Sequence, residues 1–242
     1  MKKLISIIMI LPFMALAQEE EKGTLMSFTD LTVKMGHAAQ FEDGVKKWKE
    51  CYVEAGGENS WSFWKRVQGE GAVYSFVGYM ENWAEMDDEG DDTGKGCASI
   101  VMSFIMPHVK KVKYSLVRNI PEWSKQSKED NVKIVWETSF RVKNGKLFNE
   151  VVKSVTAVMK DVEGEPRGYW SYVIGGDEHE ADYNVATLYD SYAALDKDED
   201  SPFKMYEKAK GKKKADEMRD KWEDAVDDAW GYIWEYKKEL SN

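Results

Sequence analysis

Apolar and polar residues alternate through "IVWETSFRV" (134–142), where Ile134, Trp136, Thr138, Phe140 and Val142 share one face. That period of two predicts a strand. "LMSFTDLTV" (25–33) reads the same way. After each strand the period changes. Phe41, Val45, Trp48 and Tyr52 follow a helical stripe, as do Phe148, Val152, Val155 and Met159. Gly36 and Gly145 mark the turns into these helices, and Gly57 and Gly164 follow them. Two further strands come next in each half, "SWSFWKRV" with "AVYSFVGYM" and "YWSYVIG" with "DYNVATLYD". The short polar or glycine-bearing turns "QGEG" and "GDEHEA" join them as hairpins. A short helical piece, an acidic loop and a second helix then lead to a last strand, "KYSLVRNI" (113–120) or "WGYIWEYKK" (230–238).

The two halves also match residue by residue. Adding 109 to a position carries "VKMG" (33–36) onto "VKNG" (142–145) and "WSF" (61–63) onto "WSY" (170–172). The same offset pairs Ala72, Tyr74, Ala84 and Asp87 with Ala181, Tyr183, Ala193 and Asp196. This implies a duplication of a β-α-β-β-α-β unit. The first repeat covers 24–120 and the second 132–240, with the polar segment 121–131 as linker. The expected fold class is α+β, with two tandem ferredoxin-like repeats closing on each other as an intramolecular dimeric α/β-barrel.

Ahead of the repeats, residues 1–17 carry Lys2 and Lys3, an apolar run from Leu4 to Leu16 and the small-x-small end Ala15-Leu16-Ala17. This is the pattern of a signal peptide, and the run is shorter than the ~20 residues of a membrane span. We therefore expect an exported protein, periplasmic or extracellular, with no membrane span. The formal charge is −10, and removing two leader lysines gives −12 (−10 − 2). Such an acidic chain is repelled by nucleic acid and anionic lipid. Export permits a disulfide between the only two cysteines, Cys51 and Cys97. Two buried thiols are the open alternative.

Two tandem β-α-β-β-α-β units resemble the dimeric α/β-barrel superfamily, with both halves fused in one chain. In the second repeat, Trp170, Tyr192 and "SPF" (201–203) resemble the strand-two aromatic, post-strand aromatic and helix-two opening of the antibiotic-biosynthesis monooxygenases. The resemblance implies a small-molecule site and, through other relatives, a haem-binding alternative. No diagnostic catalytic signature of that group is matched.

The candidate chemistry is sparse. Trp61, Trp136, Trp170, Tyr172, Tyr183, Trp230, Tyr232 and Trp234 are expected to line a ligand pocket, although core packing explains any one of them. His37, His108 and His179 are the only histidines, and none has a second His or Cys at ligand spacing. His108, beside "SFIM", is the candidate base or axial haem ligand; a structural role is the plainer reading. Asp196, Asp198, Asp200 and Glu207 occupy positions 1, 3, 5 and 12 of a calcium-loop window. Ser201 and Pro202 take its turn positions and read better as the N-cap and first residue of a helix.

The leading expectation is an exported protein that binds a small hydrophobic or aromatic molecule and resembles a cofactor-independent monooxygenase. A non-enzymatic interaction or structural protein of the cell envelope is the alternative, and haem binding is third. No cofactor is required by the sequence, and the chain is expected to be a monomeric pseudo-dimer.

Overall fold

The computed structural model describes residues 23–87 and 92–242. The expected signal peptide, 1–17, lies outside the described residues. Eight strands form a closed barrel: β1 (Leu25–Val33), β2 (Trp61–Arg66), β3 (Ala72–Met80), β4 (Val109–Asn119), β5 (Ile134–Val142), β6 (Tyr169–Gly175), β7 (Tyr183–Tyr189) and β8 (Val226–Tyr236). The order around the barrel is β1-β3-β2-β8-β5-β7-β6-β4. Each half thus keeps one four-stranded order, β4-β1-β3-β2 and β8-β5-β7-β6. Two seams join the halves. One pairs Trp64 with Tyr236 and Arg66 with Trp234, and the other pairs Val117 with Val173 and Asn119 with Ser171. Closure leaves no free sheet edge.

Among the described residues, six helices pack outside the barrel: α1 (Ala38–Glu54), α2 (Asp92–Gly96), α3 (Ala98–Ile100), α4 (Gly145–Glu163), α5 (Pro202–Lys210) and α6 (Lys212–Ala225). Local chemistry sets their ends. The Asn144 side chain accepts from the Leu147 amide to open α4, and Gly164 closes it at φ 91°. At α5 the Ser201 hydroxyl accepts from Lys204, with Pro202 in the first turn, as the sequence implies.

The single second helix expected in each half takes another form. In the second half Gly211, at φ 87°, breaks it into α5 and α6. In the first half it shrinks to α2, α3, a π-helical turn over Val101–Ile105 and a 3-10 turn over Met106–His108 that contains Pro107. The closing strands begin earlier than the alternation suggests, at Val109 and Val226 instead of 113 and 230. Charged residues at their starts hide the strand signal. Cys51 of α1 and Cys97 are joined in a disulfide, with Cα atoms 6.1 Å apart. The bridge ties the short helical segment to α1.

Candidate functional site

The space between helices and sheet differs between the halves. In the first half it is solid. Phe41, Val45 and Tyr52 from α1 pack with Trp61, Phe63 and Tyr74 from the sheet, and Trp48 and Phe76 join them. The chain's C-terminal segment seals this core. Leu240 is fully buried within it, its carbonyl accepts from Trp61 Nε1 at 2.9 Å, and the Ser241 hydroxyl accepts from the Phe63 amide at 2.8 Å.

The corresponding space in the second half holds a cavity of about 760 Å³. Its floor is the sheet, through Thr138 and Phe140 of β5, Trp170 of β6, and Val185 and Thr187 of β7. Its roof is α4, whose Val151, Val152, Val155, Thr156 and Met159 line it, with Phe203 of α5 and Trp222 of α6 at one side. The rings of Phe140 and Trp170 stack with centroids 5.6 Å apart and planes 19° apart, giving the floor a flat section. Gly168 lets β6 and β7 approach closely here: a Cβ on it would lie 2.6 Å from Val185 Cγ2. Three threonine side chains interrupt otherwise apolar walls.

Carboxylates outnumber cations at the mouth. Lys125 pairs with Glu129 and, at 3.7 Å, with Glu165. Arg167 donates to Glu163 from Nε at 2.8 Å and lies 3.5 Å from Glu199. Burial, aided by the charge of Glu199, holds the Tyr189 phenol above its ordinary pKa, so it stays protonated as a donor at the cavity wall.

The barrel interior has a different character. Paired strand residues share a face, so Glu137, opposite Tyr232, and Ser139, opposite Trp230, point away from the cavity and into the barrel. Trp234 Nε1 donates to Glu137 Oε2 at 2.9 Å, and Lys113 meets Glu180 at 2.6 Å. Burial pushes the Glu137 carboxyl up to about 7, and the nearby Asp30 and Glu180 charges add to this. Burial likewise raises Asp30.

The eight aromatics expected to line one pocket therefore fall into three groups. Of them, Trp170 lines the cavity. Tyr183 lies beside it, stacked on Phe148 at 4.6 Å. Trp136 and Tyr172 share that outer face but are 45% and 37% exposed. Trp230, Tyr232 and Trp234 lie on the opposite face with Glu137, and Tyr232 carries the Arg66 guanidinium 4.6 Å from its ring centre. Trp61 belongs to the solid first half. Both faces of these strands are partly covered, so alternation could not say which face a tryptophan takes.

The remaining candidate residues lie elsewhere. His108 does not line the cavity; it sits in the first half with Nδ1 2.8 Å from Nδ1 of His37. His179 is an exposed hairpin residue. Two carboxylates of the calcium-loop window, whose plainer reading is a helix entrance, are engaged by cations. Asp200 pairs with Lys204 and Lys208, which hold its carboxyl down to about 2, and Glu207 pairs with Arg219 at 2.7 Å. Among the described residues no group of three or more His, Cys, Asp or Glu side chains could hold a metal ion. Among the described residues no helix is long and apolar enough to cross a membrane. The α4 roof was visible in the sequence as the stripe of Val152, Val155 and Met159, but nothing marked it as facing empty space.

No family model matches the chain, and no curated protein matches it. Solved structures do. A provisionally assigned monooxygenase of Fusobacterium nucleatum is 11% identical, with a TM-score of 0.54 over 90% of this chain and 94% of that one. A second provisionally assigned monooxygenase, from Lactobacillus acidophilus, gives 10% and 0.53 over 89% and 94%. A chlorite dismutase variant of Candidatus Nitrospira defluvii, in complex with cyanide, gives 6% and 0.52 over 91% and 93%. These neighbours belong to the dimeric α/β-barrel superfamily, and at such identity the likeness is one of fold. A haem in the cavity would need an axial donor. The described lining holds no His or Cys, and Met159 and Tyr189 are its side chains of iron-ligating type. It does not fit a His- or Cys-ligated haem.

Proposed function

We propose that this protein binds a flat, largely apolar molecule bearing hydroxyl or carbonyl groups in the cavity between α4 and the second-half sheet. One observation carries the reading: the layer between α4 and the second-half sheet opens into a cavity of about 760 Å³, where the first half carries a packed aromatic cluster. An opening of that size, lined by apolar and aromatic side chains with a few polar groups, is typical of small-ligand sites. The Phe140–Trp170 stack offers a flat surface, and Thr138, Thr156, Thr187 and Tyr189 offer hydroxyls to the ligand's oxygens. The excess of carboxylates at the mouth disfavours an anionic ligand.

The fold shared with monooxygenases makes cofactor-independent oxidation the enzymatic extension of this reading. Binding is the part that the lining supports. We further propose that the chain is a duplicated ferredoxin-like unit that acts as its own dimer, exported after removal of residues 1–17.

Trp170 and Trp222 at the wall supply the test. Planar polycyclic quinones and phenols should quench tryptophan fluorescence saturably, and Val155→Trp, which fills the space, should abolish the response. No saturable response to any of these compounds, or an unchanged one in the variant, overturns the proposal. Oxygen uptake with a quenching compound then decides whether binding leads to oxidation.

A further inference from the structure

The second reading of the molecule concerns the other half. The tripeptides Met35-Gly36-His37 and Met106-Pro107-His108 have the same form, a methionine two residues before a histidine. They are 71 residues apart in sequence, yet the end of β1 and the start of β4 bring them together. Val33 pairs with Val109, and the Lys34 amide donates to the His108 carbonyl at 2.9 Å. The two Nδ1 atoms then face each other at 2.8 Å, with ring centroids 5.1 Å apart and planes tilted by 46°. We propose that His37, His108, Met35 and Met106 form a binding site for a soft monovalent metal ion, copper(I).

Four observations point the same way. First, the two Nδ1 atoms lie 2.8 Å apart and share one hydrogen, one ring donating and the other accepting. A metal ion takes the place of that proton, and the donating ring keeps its hydrogen by moving it to Nε2. At metal–nitrogen bonds of ~2.0 Å, a tetrahedral site needs roughly 3.3 Å between the nitrogens. A small rotation of either ring supplies the difference.

Second, both thioethers are accessible. Met35 is 100% exposed on a turn set by Gly36 at φ 80°, and Met106 is 36% exposed. An apolar side chain wholly in water has no packing role, whereas a thioether is a ligand that selects copper(I). Third, His37 occupies the N-cap of α1 and makes no side-chain capping bond. A good capping residue would be Ser, Thr, Asp or Asn, so the histidine does not serve the helix.

Fourth, the local charge argues against a divalent ion. Lys34 Nζ donates to the Pro107 carbonyl at 2.6 Å, beside the pair, and the positive end of α1 adds to it. Among the described residues no third acidic, His or Cys ligand completes a cluster there. A singly charged soft ion meets half the repulsion that zinc would and prefers the thioethers. None of these four residues lines the second-half cavity, so the site is independent of the function proposed above.

Silver(I), which needs no reductant and spares the Cys51–Cys97 bridge, is the probe. It is titrated into protein carrying ¹³C-methyl methionine, with Met35→Leu and Met106→Leu assigning the two signals. We expect one equivalent to shift both methyl signals. The pair His37→Gln/His108→Gln should weaken binding at least ~10-fold, while circular dichroism stays unchanged because neither side chain belongs to a buried core cluster. Copper(I) competition against bicinchoninate should then give the same order among the variants. Silver that leaves both methyl signals in place, affinity unchanged by the double histidine substitution, or zinc displacing silver at one equivalent would each overturn the assignment.

Discussion

The Glu137 carboxyl offers a sharp test of how the barrel interior is built. Its pKa rises from 4.5 to about 7, chiefly through burial, helped by Asp30 and Glu180 and opposed by Trp234 and Lys113. A carboxyl whose folded pKa is raised binds its proton more tightly in the native state. Its contribution to stability is fully present below 4.5 and is lost as pH climbs through about 7. At ~1.4 kcal/mol per pKa unit the loss approaches about 3 kcal/mol. Glu137→Gln keeps an acceptor for Trp234 Nε1 and removes the ionisation. Wild type and variant should therefore unfold alike near pH 4. Near pH 8.5 the variant should be the more stable by up to about 3 kcal/mol, a shift of roughly 1 M or more in the urea midpoint. Chemical denaturation at half-unit pH steps measures this directly. Parallel profiles for the two proteins would refute the reasoning and place the carboxylate in water.

Three further outcomes follow from the packing and the ion pairs. Phe41→Ala, in the solid first half, should cost about 3–5 kcal/mol; Phe203→Ala, at the edge of the cavity, should cost less than half as much, and denaturant midpoints compare them. Replacing Cys51 and Cys97 with alanine removes a cross-link between residues 46 apart in sequence and should lower stability by roughly 2–4 kcal/mol, with reduction of the wild type matching it by calorimetry. Titration with millimolar calcium should give no saturable heat, because Asp200 is held by Lys204 and Lys208 and Glu207 by Arg219; a saturable heat lost in Asp196→Asn/Asp198→Asn would contradict this.

Much of the fold was legible because its signals are local. The alternation of 134–142 and the stripe Phe148, Val152, Val155, Met159 need only neighbouring residues to be read, and both became the elements expected. The offset of 109 also anticipated that the halves share a strand order. The site was less legible, for two physical reasons. In a closed barrel covered by helices, Trp230 and Trp170 look alike in sequence, yet one faces the interior with Glu137 and the other the cavity. The His37–His108 contact depends on the register of β1 against β4, which no spacing rule along the chain contains.

The difference between the halves has a structural origin that the matched landmarks conceal. Both helix stripes are apolar, and both sheets offer aromatics to them. What separates them is the helical cover, not the segment after the closing strand, which both halves have. Residues after β8 return to β2, where Trp61 and Asn242 exchange backbone hydrogen bonds and Leu240 enters the core. The chain that follows β4 does the same at β6: the Trp170 amide donates to the Ser124 hydroxyl, which donates to the Ile120 carbonyl, and Trp123 packs on Trp170 and Phe148, yet the space beneath Val155 stays open. The second half also has α5 and α6 spanning that space like a bracket, where the first half has short turns tied by the disulfide directly against α1. A short cover with a covalent tie makes one half the scaffold, and a longer helical cover makes the other a container. The same strand order thus gives two different interiors, and the binding reading rests on that divergence.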